Sequence, residues 1–285
     1  MPRQGKGRYT AYWLLAPGAL WLGLFFVIPF YSLVSASLFD PNGSVLTGYD
    51  VTYHFHNFVS VLDQYHANLL RSLWYAGLAT LICLVIGYVL AYAIAFKAGR
   101  WRNLLLVMVI APFFTSFLLR TLSWKLILSD HGFVVNALQS VHVLGSDGRL
   151  LNTWFAVVAG IVYNFLPFMV LPLYASLEKI DGRLIEAASD LYANPFKAFF
   201  KVTWPLSLPG VVAGTLLTFI PAAGDFINAQ LLGGPGQRMV GNVIQSLFTT
   251  TEDYAGAGAL SVILMALIVG MVMIYIRKAG TEDLV

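Results

Sequence analysis

One carboxylate lies deep within an apolar stretch, and it is the side chain with the clearest chemical potential. Asp225 directly follows Phe219–Gly224, a segment of apolar and small residues. A buried carboxylate costs several kcal/mol unless it has a partner or faces water. Two roles stay open. In the structural role Asp225 caps a broken helix or pairs with Arg120 or Lys125, and in the functional role it attracts a cation.

Aromatic residues are expected near this carboxylate in sequence or in depth. An aromatic face attracts an alkyl ammonium group by about 0.5 to 2 kcal/mol. Ordinary core packing is the alternative for three of these aromatic residues, Trp124, Tyr163 and Phe165. The candidates for a cation pathway or gate are therefore Asp225, Phe226, Pro221, Trp124, Tyr163 and Phe165.

Motifs of nucleotide-hydrolysing and metal-dependent enzymes are missing. The sequence contains no GxxxxGK[ST] phosphate loop and no HExxH pair. His54, His56 and His66 lack a compact set of carboxylate or thiolate ligands around them, so we predict no metal site. The single cysteine, Cys83, excludes a disulfide framework and is most simply a small packing residue. We predict a chain that is not an enzyme and binds no cofactor itself.

The composition places the candidate residues in a membrane protein. Of the 285 residues 58% are hydrophobic and 11% charged, against about 25% charged in soluble domains. The net charge of +3 is too small to indicate a nucleic-acid partner. Six apolar stretches reach the roughly 20 residues that a membrane-spanning helix needs, without the alternation of barrel strands. The predicted spans of this all-α polytopic fold are 12–38, 69–96, 104–128, 153–177, 206–232 and 257–276.

The basic residues predict the orientation. The apolar region of a cleaved signal peptide has roughly 7 to 15 residues. The first predicted span is longer, so we expect it to remain as a membrane-spanning helix. Twelve Lys and Arg residues fall on one side of the predicted spans, and the positive-inside rule places that side, with both termini, in the cytoplasm. These residues are Arg3, Lys6, Arg8, Lys97, Arg100, Arg102, Lys179, Arg183, Lys197, Lys201, Arg277 and Lys278.

The fifth predicted span carries repeated helix-breaking residues, with Pro209, Gly210, Gly214, Pro221 and Gly224 along its length. Proline removes a helical hydrogen bond and bends the helix, so we expect a break near Pro221 to Gly224. In lipid, freed backbone groups must face protein or a water-filled cavity. This predicts a cavity or gate beside Asp225.

The longest cytoplasmic connection, 178–205, is amphipathic. An apolar stripe that includes Leu184 and Leu191 faces away from Glu186 and Asp190. Asn194 and Pro195 should end this helix and start a second, because Asn tolerates a left-handed cap and Pro fits a first helical turn. The segment predicts a helix–turn–helix elbow, and an interfacial helix lying on lipid headgroups is the alternative.

The elbow resembles the EAA motif of permease subunits in bacterial ABC importers. Glu186-Ala187-Ala188 is followed at the expected distances by Val202 and Pro205, whereas Tyr192 stands at the family's glycine position. The resemblance implies a type I (MetI-like) permease fold in a single domain, 1–285. It also implies that the loop 178–205 docks on a cytoplasmic ATPase. The implied coupling residues are Glu186, Ala187, Ala188, Leu184, Asp190, Leu191, Tyr192 and Pro195.

Narrower stretches resemble the PotB/PotH-type permeases of spermidine/putrescine importers. They are Phe219–Phe226 and Leu231–Pro235, whereas Asn68–Leu73 resembles the opening of the transporter core that type I permeases share. This implies a multi-pass protein of the bacterial inner membrane that forms half of a polyamine pathway. It also implies four partners besides lipid: a PotC-like permease, two ATPase subunits that hold ATP and Mg, and an extracytoplasmic polyamine-binding protein. Importers of ferric iron, thiamine, sulfate or phosphonates share the EAA loop, and an ion-coupled secondary carrier is the alternative from another class.

Overall fold

A computed structural model describes residues 7–43, 48–142, 144–145, 148–190 and 192–279, and these residues are predominantly helical. Within them, extended pairing is limited to an isolated bridge between Phe39 and Val51. The α-helices are α1 Gly7–Leu22, α2 Ile28–Ala36, α3 His56–Tyr92, α4 Arg102–Ile110, α5 Phe117–Ile127, α6 Phe133–Ser140, α7 Trp154–Glu178, α8 Gly182–Asp190, α9 Pro195–Ala198, α10 Trp204–Ala223, α11 Ile227–Leu232, α12 Val240–Thr249 and α13 Tyr254–Ala279.

Several of these helices join into apolar rods long enough to cross a bilayer. A π turn at Gly23–Val27 joins α1 to α2, another at Ala93–Lys97 extends α3, and a third at Phe199–Thr203 joins α9 to α10. Among the described residues, the helices of sufficient length and hydropathy are Tyr12–Ala36, His56–Lys97, Trp154–Glu178, Pro195–Ala223 and Tyr254–Arg277. A bent pair of helices supplies a sixth candidate span.

The bent pair lies in the third predicted span, 104–128, for which the sequence pattern indicated no break. Gly99–Phe114 and Phe117–Ile127 meet at 95°. A 3₁₀ turn, Ala111–Phe114, contains Pro112, and Thr115 then adopts an extended backbone with φ −107° and ψ 148°. Thr115 Oγ1 donates to the Pro112 carbonyl oxygen at 2.7 Å, which favours this exit from the helix.

The fifth predicted span breaks where proline and glycine indicated. Helix α10 continues through Pro209 and Pro221 to Ala223, and α11 begins at Ile227. The break at 224–226 therefore follows Pro221 by about one turn, and it divides the predicted range 206–232 into a long and a short helix. It places Asp225 at the junction.

The chain divides into two compact units, Met1–Gln64 with Ile244–Met265 and Tyr65–Val243 with Ala266–Val285. In the first unit, Asn57 Nδ2 donates to the carbonyl oxygens of Ser37 at 3.1 Å and Phe39 at 2.9 Å. These bonds fix the connection between α2 and α3.

In the second unit α7 packs closely along α10 through glycines. A methyl group added at Gly210 would lie 2.7 Å from the Pro172 carbonyl oxygen, and one at Gly214 would lie 3.1 Å from that of Met169. Small residues allow the two backbones to approach closely. In lipid, where the hydrophobic effect does not drive helices together, the van der Waals packing of such close contacts holds them. The close pair forms the scaffold on which the candidate site is built.

Candidate functional site

Asp225 caps the short helix that follows the break. It is 7% exposed, and its Oδ1 accepts the backbone N–H of Asn228 at 3.0 Å. Its Oδ2 accepts a short hydrogen bond from Asn228 Nδ2. Both carboxylate oxygens are thus engaged with the first turn of α11, where an acidic side chain satisfies N–H groups that have no helical partner.

Asn228 connects this cap to two other helices. Its Oδ1 accepts from Asn164 Nδ2 on α7 at 3.1 Å and from Thr121 Oγ1 on α5 at 3.4 Å. Asn164 Nδ2 is also 3.2 Å from Thr121 Oγ1. We call Thr121, Asn164, Asp225 and Asn228 the polar cluster; all four are buried. The cluster ties both broken spans to the unbroken α7.

Sequence reasoning found Asp225 but missed the other three members of the polar cluster. The available signal was a set of short polar side chains in otherwise apolar stretches, each of which needs a partner once buried. Their separation in sequence hid the fact that they meet. Asn164 Oδ1 still has no hydrogen-bond partner among the described residues.

The expected pairing of Asp225 with Arg120 or Lys125 is wrong. Among the described residues, neither Arg120 nor Lys125 forms an ion pair with Asp225, whereas Arg102 pairs with Glu178 and Arg149 with Asp130. Arg120 neighbours Thr121 on α5, and since consecutive helical residues point about 100° apart, the face that brings Thr121 to the polar cluster turns Arg120 away. Its guanidinium carbon lies 5.5 Å from the Phe113 ring centroid and 5.7 Å from that of Phe117.

The structure brings some of the predicted pathway aromatics together and separates others. The rings of Trp124 and Tyr163 are 5.5 Å apart and edge to face, and each residue is close in sequence to a member of the polar cluster. Phe165 is buried in the core and contacts Phe117 and Phe168. Pro221 is exposed.

Phe226, which follows Asp225 in the break, is held through its backbone. Its carbonyl oxygen accepts from Asn242 Nδ2 at 2.7 Å. An added methyl group at Gly241 would lie 2.7 Å from the Gly224 carbonyl oxygen. The first turn of α12, which contains Gly241 and Asn242, therefore packs directly on the break at 224–226.

The predicted elbow forms, and it presents most of its named residues on the surface. Helix α8 exposes Glu186, Ala187, Asp190 and Leu184, the last at 47%. Ala188 is half-buried, and Pro195 is exposed at the start of α9. Leu191 lies outside the described residues.

The turn of the elbow differs from the sequence expectation at one residue. The Ala193 N–H donates to the Ala188 carbonyl oxygen at 3.1 Å, and Tyr192 has φ 60°. This is a Schellman cap, whose left-handed position is usually glycine. Asn194 was expected in that conformation, but it is extended and its side chain accepts the Lys197 N–H at 2.8 Å. A residue before proline avoids the helical region, which suits this N-cap role instead.

Polar and aromatic contacts join the elbow to the membrane helices. The Tyr88 hydroxyl on α3 and Ser207 Oγ on α10 are 2.8 Å apart, and the Tyr88 ring contacts Phe199 and Trp204. At the end of α7, Glu178 forms an ion pair with Arg102. These contacts join the start of α10 to α3, and they join the end of α7 to the start of α4.

Comparison with known proteins agrees with this arrangement. Residues 83–279 match the family described as "Binding-protein-dependent transport system inner membrane component". The chain is 39% identical to the spermidine/putrescine transport system permease protein PotB of Haemophilus influenzae, over 90% of each chain. It is 37% identical to PotB of Escherichia coli K12, over 91% of this chain and 94% of that one.

A solved structure shows the same fold at low identity. It is a bacterial alginate ABC transporter in complex with an alginate pentasaccharide-bound periplasmic protein. The TM-score is 0.73 at 18% identity, and the match covers 96% of this chain and 95% of that one. The chain therefore belongs to the family of binding-protein-dependent transport system inner membrane components, and within that family it is similar to the PotB-type permeases.

Proposed function

We propose that this chain is the permease subunit of an ATP-driven polyamine importer and forms half of its pathway. The observation that carries the proposal is the likeness to spermidine/putrescine permeases over 90% of both chains. A resemblance confined to the EAA loop would leave the substrate open, since importers of other solutes share that loop. Here the likeness extends over nearly the whole of both chains.

Other subunits complete the proposed importer. A PotC-like permease would supply the second half of the pathway, and an extracytoplasmic binding protein would deliver the amine. Two cytoplasmic ATPases would bind ATP and Mg, since this sequence has no phosphate loop of its own. The family description, with its dependence on a binding protein, supports this set of partners. The basic residues support cytoplasmic termini.

The elbow is the proposed site of ATPase coupling. Its exposed face offers the carboxylates of Glu186 and Asp190 together with apolar area from Leu184. Burying apolar surface contributes about 25 cal/mol per Å², and the small side chain of Ala187 allows close approach. Movement of the ATPases would reach the spans through the contacts of Tyr88 and Glu178.

The proposed cation path runs beside the polar cluster. The aromatic pair of Trp124 and Tyr163 lies close in sequence to the polar cluster. Its rings offer apolar contact to the alkyl part of a diamine and cation–π attraction to the ammonium group. Asp225 contributes its negative charge to the field at this point. Phe165 supports the pathway from the core.

Reconstituted uptake tests the proposal. We expect ATP-dependent, saturable uptake of spermidine or putrescine in vesicles that contain both permeases, the ATPases and the binding protein, and none when this chain is omitted. Ferric iron, thiamine and phosphonate in excess should not compete. Uptake driven by an ion gradient without ATP would contradict an ABC importer, and competition by one of these solutes would contradict the polyamine substrate.

A further inference from the structure

Tyr192 adopts a backbone conformation that tyrosine disfavours, and its ring packs on none of the residues that the structure describes. Its φ of 60° lies in the left-handed region, where a Cβ crowds the backbone and glycine is preferred. Its side chain is 99% exposed. The Schellman hydrogen bond holds the backbone there, but the exposed ring adds nothing to the packing of the fold and is free to contact a partner.

The charges around Tyr192 distinguish protein from lipid as the source of that contact. The segment 181–190 carries Asp181, Glu186 and Asp190 against Arg183. A net negative segment is repelled by the anionic cytoplasmic leaflet. The next segment has the opposite character, with Lys197 and Lys201 beside exposed Phe196 and Phe200.

This division assigns the two arms of the elbow to different surroundings. Helix α9 and the π turn after it carry Lys197 and Lys201 and bring the Phe196 and Phe200 rings to 4.7 Å in a tilted arrangement, which suits the headgroup region. Helix α8 and the Tyr192 ring at its end suit an aqueous protein surface with basic and apolar groups.

We propose that Tyr192 is a specificity-determining contact, whose ring enters an apolar slot of the partner ATPase. The slot is flanked by basic side chains that meet Glu186 and Asp190. This assignment rests on the proposed docking of the elbow on the ATPase. An ATPase with this slot would distinguish this permease from one that has glycine at the same position, because tyrosine rings are frequent anchors of binding energy in interfaces.

The affinity of the ATPase for the permease pair in nanodiscs tests the assignment, with Tyr192→Phe, Tyr192→Ala and Tyr192→Gly compared in the full complex. We expect Phe to bind within about threefold of tyrosine, and both Ala and Gly to bind at least about tenfold more weakly. If Tyr192 only completes the turn, the glycine variant should bind the ATPase at least as tightly as tyrosine does, because glycine relieves the strained backbone. Glycine binding as well as tyrosine would overturn the assignment.

Two controls separate this inference from the coupling proposal beneath it. Phe196→Ala removes another exposed ring, from the lipid-facing arm of the elbow, and should leave the affinity for the ATPase unchanged. A loss of affinity equal to that of Tyr192→Ala would refute the special role of Tyr192. Ala188→Trp should prevent docking altogether. If Ala188→Trp binds normally, the elbow itself is not the docking site; if only Tyr192→Gly binds normally, the coupling proposal stands and the Tyr192 contact falls.

Discussion

At the scale of single residues, the hydrogen bonds of the Asp225 side chain all run in one direction, toward its carboxylate oxygens. Its two oxygens accept from Asn228, and Asn228 Oδ1 accepts in turn from Asn164 and Thr121. Each bond in this chain has one donor and one acceptor, so the arrangement needs a group that only accepts at position 225. An ionised carboxylate meets that need with Asn228 and Asn164 in their present orientations, whereas an amide would require both side chains to turn over.

Replacement of Asp225 by asparagine should therefore do more than remove charge. In Asp225→Asn the new Nδ2 faces the Asn228 amide donor, and we expect a loss of about 1 to 3 kcal/mol in stability from buried groups left unsatisfied. Thermal unfolding of the purified permease pair measures it. Wild-type stability in this variant would contradict the cap.

An exchange of the two side chains provides the matched control. In Asp225→Asn with Asn228→Asp, every hydrogen bond of the polar cluster can form again and the net charge is unchanged. Stability should return. If the charge also guides the amine, Asp225→Asn alone should reduce spermidine uptake more than putrescine uptake, because spermidine carries the higher charge. Equal uptake of both at wild-type levels would leave Asp225 with a structural role only.

At the scale of elements, the packing of α7 on α10 and the contacts of the elbow determine how motion can be transmitted. Glycines bring the two backbones together, and the elbow continues directly into α10 through a π turn. A rigid pair attached to the elbow can tilt as one body. The breaks in the third and fifth spans are the points where the structure interrupts such rigidity.

The close packing predicts a strong effect at Gly210. A Cβ in Gly210→Ala would lie 2.5 Å from Ser176 Cβ and 2.7 Å from the Pro172 carbonyl oxygen, so the helices must separate. We expect destabilisation of about 1 to 3 kcal/mol, typical of overpacking, as a lower midpoint of thermal unfolding. Gly77→Ala is the control, because its Cβ would meet nothing within 4 Å. Equal effects would contradict a packing explanation.

Variants of the elbow should separate insertion from coupling. Glu186→Ala removes an exposed carboxylate and Ala188→Trp adds bulk, yet neither touches the apolar spans. We expect normal membrane levels, weaker recovery of the ATPase with the permease, and loss of uptake in both. Unchanged complex yield and transport in both variants would exclude the elbow from coupling.

At the scale of the whole molecule, orientation and subunit composition determine whether these sites can work together. The elbow can reach an ATPase only if the connections with many basic residues are cytoplasmic. In the proposed importer, this orientation would place the opposite connections, which carry several acidic residues, on the outer side, where the proposed binding protein docks.

Cysteine accessibility tests this orientation. The native Cys83 is buried, so it should give little background with an impermeant maleimide. We expect labelling of intact spheroplasts at Asp50→Cys and none at Arg100→Cys until the membrane is opened. Labelling of Arg100→Cys in sealed spheroplasts would reverse the orientation and with it the coupling proposal.

Much of this protein was determined by the sequence alone, because the relevant signals are local. Apolar length specified the helices, Pro221 and Gly224 specified the break, and the apolar stripe with Leu184 and Leu191, followed by Asn194 and Pro195, specified the elbow. Each depends on residues within a few turns of one another. The comparison with known families agreed with the resemblance based on these stretches.

The tertiary structure alone decided the partners of these residues. Asp225 pairs with Asn228, and through it with Asn164 and Thr121, because a 95° bend in the third span aims α5 at the break. Tyr192 takes the left-handed position because the Schellman hydrogen bond closes there, which frees Asn194 to cap α9. Local patterns specify a helix and its ends, but which side chain satisfies a buried polar group depends on helices that are distant in sequence and meet only in the fold.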